Sequence, residues 1–312
     1  MGWGSLKNNL LRWFDAETGV QIKEGRAEKF SFMRCLPFIL MHVACLGVIW
    51  VGWSPFAVAM AAALYLVRMF AITGFYHRYF SHRSFKTNRF WQLVFATIGA
   101  SSVQRGPLWW AAHHRHHHQY SDQEEDIHSP VVRNFWWSHM LWFTCEVHFS
   151  TRMNRVKDLA QFPELRFLNR FDIFVPILLA IGLFIGGTLL EALLPSWGVT
   201  GMQLVIWGFF ISTVVLAHAT FTINSLAHRF GKRRFETRDH SRNNPLLALV
   251  TLGEGWHNNH HRFPGSVRQG FYWWEVDITY MILKCMSFLG MVWDLRPVPA
   301  RILEEGRSGK RF

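Results

Sequence analysis

The stretch IFVPILLAIGLFIGGTLLEALLPSWGVTGMQLVIWGFFISTVVLAHATFTI, Ile173 to Ile223, decides the fold. Its first arm, Ile173 to Leu190, is uncharged, and the apolar run continues to about Pro195. Its second arm, Met202 to Ile223, is uncharged and carries His218. A spanning helix needs about 20 mostly apolar residues, so each arm is long enough to cross a bilayer. The break at Pro195–Gly201 reads as a tight connector. The same pattern occurs upstream: Cys35 to Trp53 has no formal charge, Pro55 to Tyr76 carries only Arg68, and the two meet near Gly52–Pro55. The expected spans are about 35–53, 55–76, 173–195 and 202–223.

The charges around these arms orient them. The chain has 312 residues and 33 Lys+Arg. Six basic residues lie in 1–34, twelve in 77–171 and fourteen in 223–312, while neither connector holds one. Basic segments stay on the cytoplasmic side. The expectation is two transmembrane hairpins, a large cytoplasmic cap, and both termini inside. With 17% charged and 50% hydrophobic residues, disorder, a collagen-like fibre and a disulfide-rich module are excluded, and an ordinary soluble enzyme is disfavoured. Cys35, Cys45, Cys145 and Cys285 have neither CxxC spacing nor a disulfide framework. No cleaved signal peptide is evident in residues 1–34.

Residues 276–293 have nearly the length of a fifth span. They contain Asp277 and Lys284, and crossing would export a basic tail, so an interfacial helix is expected there. Arg89–Ser101 and Asn134–Phe149, rich in Trp and Phe, are expected to lie at the interface in the same way. Arg68 reads as snorkelling or as pairing inside the bundle, and otherwise as a polar contact near a site. Gly182 and Gly186 form a GxxxG pattern that reads as close helix packing.

The histidines are clustered. HRYFSH (His77, His82) follows the second span, HHRHHH covers His113 to His118, NSLAH ends at His228 after the fourth span, and HNNHH holds His257, His260 and His261. Residues i, i+3 and i+4 share a helix face. His257, His260 and His261 fit this; so do His114, His117 and His118, and equally His113, His116 and His117. Asn224 and His228 are i, i+4. His77 and His82 stand about 140° apart on an ideal helix, so they share a centre only if the helix ends or bends between them. A lone histidine is more often a satisfied core or surface residue than a ligand. Four such sets on one side of a bundle point to metal binding, and eight or nine imidazoles suit two ions.

HRYFSH, HRHHH, NSLAH and EGWHNNHH resemble the boxes of membrane fatty-acid desaturases, specifically the acyl-CoA delta-9, stearoyl-CoA-like group in its bacterial type. The resemblance runs from about Tyr65 to Phe263. It implies an all-α integral membrane protein, a single domain over 1–312, with four spans and a cap built from 77–171 and 224–312. The ligand set it implies is His77, His82, His114, His117, His118, His228, His257, His260 and His261, with Asn224 acting through a water. Asp126, His128 and His113 would stand behind these ligands, with His116 behind them or on the surface. Gln104, Trp110, Thr220 and Phe221 would line a substrate tunnel.

The implied activity is O2-dependent desaturation of C16–C18 acyl chains at delta-9 with two iron ions, in the cytoplasmic membrane. No flavin, dinucleotide or iron–sulfur motif is visible. Electrons would come from a separate ferredoxin or cytochrome b5-like protein with its reductase, and the basic surface suits an acidic carrier or anionic lipid. Animal members carry Arg-Asp where this chain has Ala112 and His113, which leaves both acyl-CoA and phospholipid acyl chains open as substrates. The competing readings are a di-iron hydroxylase of the same superfamily and, from another class, a metal transporter or haem electron carrier.

Overall fold

A computed structural model describes residues 10–17 and 28–309. The described residues are helical and contain no strand, only four isolated bridges. Four helices are long and apolar enough to cross a membrane: α1 (Phe32–Val51), α2 (Pro55–Ser81), α6 (Phe174–Leu193) and α7 (Gly201–Ser225). Between them lie α3 (Arg89–Ala100), α4 (Pro107–Tyr120) and α5 (Pro163–Arg170). After α7 come α8 (Pro245–Val250), α9 (His257–Arg262), α10 (Ile278–Phe288) and α11 (Ala300–Ser308).

The two connectors are cut by local chemistry. Gly52 takes φ +62, a conformation that favours glycine. Ser54 then caps α2 by accepting from the Ala57 amide at 3.2 Å, with Pro55 in the first turn. In the second hairpin Gly198 takes φ +61 and Thr200 caps α7 through the Gln203 amide. The hairpins meet here. Gln203 accepts from Ser54 Oγ at 2.7 Å and donates to the Val51 carbonyl at 3.0 Å. Both connectors therefore sit at one end of the bundle, and the histidine boxes at the ends of α2 and α7 lie at the other.

Burial separates inner from outer spans. In the most apolar windows of α2 and α7, 39% and 50% of residues are buried, against 11% and 17% in α1 and α6. The outer helices expose Ile49, Trp50, Ile185 and Leu193, which suits hydrocarbon rather than water. Arg68, 1% exposed, neither snorkels nor touches the histidines. Its guanidinium donates to Ser212 Oγ (2.6 Å), Thr213 Oγ1 (2.7 Å) and the Ser101 and Gly208 carbonyls, pinning α2 to α7 and to the end of α3.

The GxxxG expectation is corrected. A Cβ on Gly182 or Gly186 would meet nothing within 4 Å. The close contact is one residue on, where a Cβ on Gly187 would lie 2.7 Å from the Gly201 Cα. The small pair lies across two helices rather than along one.

One expectation agrees with the structure and one changes. The helix within 276–293, α10, has 11 residues, too short to span. Met281 and Phe288 on it are exposed, as are Phe90 on α3 and Trp136. Asn134–Phe149 is not one helix but a π turn (Trp137–Leu141) followed by 3-10 turns. The reason is a backbone competitor. Ser31 N–H donates to the Thr144 carbonyl and Glu146 N–H to the Lys29 carbonyl, holding Cys145 extended.

Candidate metal centre

The second span does not stop at Tyr76. From Ala71 to Ser81 it widens into a π-helix, and the His82 amide closes on the His77 carbonyl five residues back at 3.2 Å. Wider turns bring residues five apart toward one side. The two rings lie 4.9 Å apart, with His82 forming the helix end. A close seat on α3 permits this: a Cβ on Gly99 would lie 2.1 Å from the Tyr76 ring. Phe75 stacks on Phe95 of the same helix at 3.9 Å.

α4 is then fixed against this end. Asn169 Oδ1 accepts from the Trp109 amide at 2.8 Å, and Gly106 lets the Asn169 backbone approach. Arg115 donates to the Phe80 and Ser81 carbonyls, which the end of α2 leaves unpaired. α9 is short and is held by asparagines. Asn243 Oδ1 accepts from the Asn258 and Asn259 amides, and Asn258 Oδ1 accepts from the Arg234 and Phe235 amides.

These supports gather nine imidazoles into two groups. One holds His77, His82, His114, His118 and His260; the other holds His117, His228, His257 and His261. Within each group one nitrogen per ring lies within 4.8 Å of all the others. His260 Nε2 is 3.0 Å from His77 Nε2 and 2.9 Å from His118 Nε2, and His228 Nε2 is 3.0 Å from His257 Nε2. Of the two HxxHH registers in the second box, the 114/117/118 set enters the groups. His113 and His116 do not.

The donor set fits a cation. His77 and His228 each present Nδ1 to a carboxylate, which leaves Nε2 facing the other rings. His261 Nε2 is buried with no hydrogen-bond partner. Buried ring nitrogens gathered this closely can share a cation between them. Burial first, then the neighbouring histidines, holds His82, His114, His118, His257 and His260 far below the ordinary histidine range. They are neutral near pH 7, the state that ligates.

A cavity of about 40 Å³ touches both groups. Met69, Ile72, Trp110 and Ile223 give it apolar wall, and Thr220, Asn224, His77, His114, His117 and His257 also face it. Gln104 donates to Thr220 Oγ1 at 3.0 Å, one residue removed from the lining. Phe221 is elsewhere, packed among Phe38, Phe143, His139 and His218.

Comparison with known proteins decides the family. Residues 50–284 match the fatty acid desaturase family model. The chain belongs to the fatty acid desaturase family. It is 35% identical over 275 residues to an acyl-CoA 5-desaturase of Anemone leveillei, covering 86% of this chain and 80% of that protein. It is 37% identical over 245 residues to an sn-1 stearoyl-lipid 9-desaturase of Synechocystis, covering 78% and 73%. It is 36% identical over 244 residues to a chloroplastic palmitoyl-monogalactosyldiacylglycerol delta-7 desaturase of Arabidopsis thaliana, covering 77% and 62%. The family makes this chain an oxidoreductase acting on acyl chains.

The chain backs its histidines with carboxylates. His117 meets Asp126 at 3.0 Å, His228 meets Asp122 at 2.9 Å, His261 meets Asp239 at 2.6 Å, and His77 meets Glu254. Burial is the largest influence and raises these four acids, but the histidines together with hydroxyl and amide donors, and Arg78 at Glu254, hold all four below the usual carboxylate range. His128 packs its ring 4.4 Å from His117 and sits 3.7 Å from Asp126. His113 is in neither group; its ring lies against Trp109 and Trp142. His116 is buried, accepting from Arg152 and bonded to the Glu125 carbonyl.

Sequence reasoning placed Asp126, His128 and His113 behind the ligands and missed Asp122, Asp239, Glu254 and Arg115. The signal for Glu254 was its position three residues before His257, inside the same motif. Asp122 left a weaker one, four residues after His118, and Asp239 none. A second histidine chain was also missed. His42 Nε2 lies 2.9 Å from His218 Nε2, and His218 Nδ1 lies 3.0 Å from His139 Nε2. Metal–imidazole bonds are about 2 Å each, so no haem iron fits between His42 and His218.

Proposed function

We propose that this chain is an O2-dependent acyl desaturase that places a cis delta-9 double bond in saturated C16–C18 chains. The observation that carries the reading is the single cavity whose wall includes histidines of both groups. A methylene pair held there faces both candidate metal positions at once.

His77, His82, His114, His118 and His260 would hold one iron, and His117, His228, His257 and His261 the other, with Asn224 reaching the second through a water. Iron so held would supply the oxidising chemistry, with O2, that an unactivated methylene demands and that no side-chain acid or base can provide. The balance is –CH2–CH2– plus O2, two electrons and two protons giving –CH=CH– and two waters. The protein's part is positioning. Trp110, Met69 and Ile72 exclude water around the chain, and Thr220, held by Gln104, sets the wall beside the reacting carbons. A cavity of about 40 Å³ holds about three water-sized groups. It therefore encloses only the reacting segment, and the rest of the acyl chain lies beyond it.

The electrons come from a separate ferredoxin or cytochrome b5-like carrier with its reductase. The acyl chain arrives on CoA or on a membrane lipid; relatives of both descriptions match this chain. The distribution of basic residues supports a single domain in the cytoplasmic membrane with the histidine cap and both termini inside.

The test is gas chromatography–mass spectrometry of total fatty acids from an aerobic bacterial host expressing the protein, with double bonds located by derivatisation. A delta-9 monoene absent from a His260→Ala control is expected. A double bond at delta-5 or delta-7 would overturn the regiochemistry, and a hydroxylated product would overturn desaturation. Feeding labelled stearoyl-CoA or labelled phospholipid to isolated membranes distinguishes the carrier.

A further inference from the structure

The two histidine groups are supported unequally. In the four-histidine group three rings have a carboxylate on Nδ1: His117 on Asp126, His228 on Asp122 and His261 on Asp239. In the five-histidine group, among the described residues, only His77 has one, Glu254. The carboxylates also differ in their partners. Glu254 Oε1 accepts from Arg78 at 3.1 Å, a guanidinium that it shares with Asp277. The three aspartates have no Lys or Arg ion-pair partner among the described residues. Backbone amides, hydroxyls and second histidines hold them instead: Asp122 takes Ser129 Oγ and the His240 amide with the His240 ring at 3.5 Å, Asp126 takes the Asp122 and His128 amides with the His128 ring at 3.7 Å, and Asp239 takes Ser241 Oγ and Thr237 Oγ1.

A carboxylate on the far ring nitrogen makes an imidazole a stronger donor. An uncompensated negative charge in a buried site also favours the more positive state of a nearby ion. The five-histidine group has one more ligand, but that ligand is neutral. Three carboxylate-backed rings against one outweigh it.

Resting on the two-iron reading, we propose that the four-histidine site is the electron-rich member of the pair. It holds its metal more tightly and loses the first electron on oxidation. Asp122, Asp126 and Asp239 are the positioning residues that set this order.

The experiment uses the full-length protein in detergent, reduced and loaded with 57Fe. One equivalent of ferricyanide takes one electron per chain, converting one Fe2+ to Fe3+ and itself becoming ferrocyanide. Mössbauer spectra are recorded for wild type, Asp239→Asn, Asp122→Asn and Glu254→Gln, alongside iron retained during graded chelation. In wild type a single ferric doublet holding half the iron is expected. In Asp239→Asn or Asp122→Asn the ferric share spreads over both sites, and one iron is lost about 10- to 100-fold more readily. Glu254→Gln keeps the wild-type order, and Asp239→Glu restores it.

Ferric iron divided equally between two doublets in wild type overturns the proposal, even if no variant folds. So does a changed order in Glu254→Gln with none in the aspartate variants. Fewer than two irons in wild type, seen before oxidant is added, overturns the two-iron reading itself. Failure to make a double bond in the host would leave the oxidation order measurable, so the two failures are distinct.

Discussion

Arg115 donates a 2.8 Å hydrogen bond to the carbonyl of Phe80, tying the helix with three of the gathered histidines to the end of the helix that carries His77. The same guanidinium reaches Ser81, Arg155 and Asp158. Its planar fork serves several acceptors at once, which a lysine ammonium cannot reproduce. We expect Arg115→Lys to lower desaturation about tenfold or more and to weaken iron retention, measured by product yield and by iron per chain.

Removing any one of the nine gathered imidazoles should abolish turnover. His260→Ala and His117→Ala test one residue from each group, and wild-type product from either would remove it from the site. His116→Ala should keep substantial activity, because its nitrogens are bonded to Arg152 and the Glu125 carbonyl rather than aimed at the centre.

Arg78 and Asp277 form a buried pair under the site, both about 1% exposed, with two contacts of 2.9 and 3.0 Å. Breaking such a pair from one side typically costs about 3–5 kcal/mol. Asp277→Asn should lower the melting temperature sharply. Asp294→Asn, which breaks the exposed pair with Lys86, should change stability by less than about 1 kcal/mol. Equal losses in both would contradict the burial argument.

Thr220 lines the cavity and Phe221 does not. Thr220→Leu should fill space of the order of the cavity itself and reduce kcat/KM about tenfold or more, with iron content unchanged. Phe221→Leu should leave double-bond position unaltered. A shifted double bond in Phe221→Leu, by mass spectrometry, would return that ring to the substrate path.

His148 is buried, and burial foremost holds it down to about 4 despite Glu28 at 3.3 Å. The unfolded chain takes this proton near pH 6.5, and the folded chain only near 4. Stability from this group is therefore full above about pH 6.5 and falls as pH drops toward 4. In detergent, His148→Gln should lose less melting temperature than wild type between pH 7 and pH 5.

The spans were legible because lipid demands long apolar runs, and the sequence-derived limits 35–53, 55–76, 173–195 and 202–223 overlap all four long helices. The histidine boxes were legible because i, i+3, i+4 spacing puts rings on one face. The link between His77 and His82 was not, because it depends on i→i+5 backbone bonds that leave no side-chain periodicity. The carboxylates were hidden for another reason. Asp122 and His228 are 106 residues apart, so only tertiary folding brings them together. The Gly187–Gly201 contact was invisible in the same way, and Asn134–Phe149 failed as a helix because its partner, residues 29–31, is remote in sequence.

The central claim is that nine histidines hold two iron ions, and metal analysis of the purified protein tests it most directly. Inductively coupled plasma mass spectrometry should find two irons per chain in wild type and fewer in His260→Ala. One iron or none in wild type, or zinc in place of iron, would contradict the account.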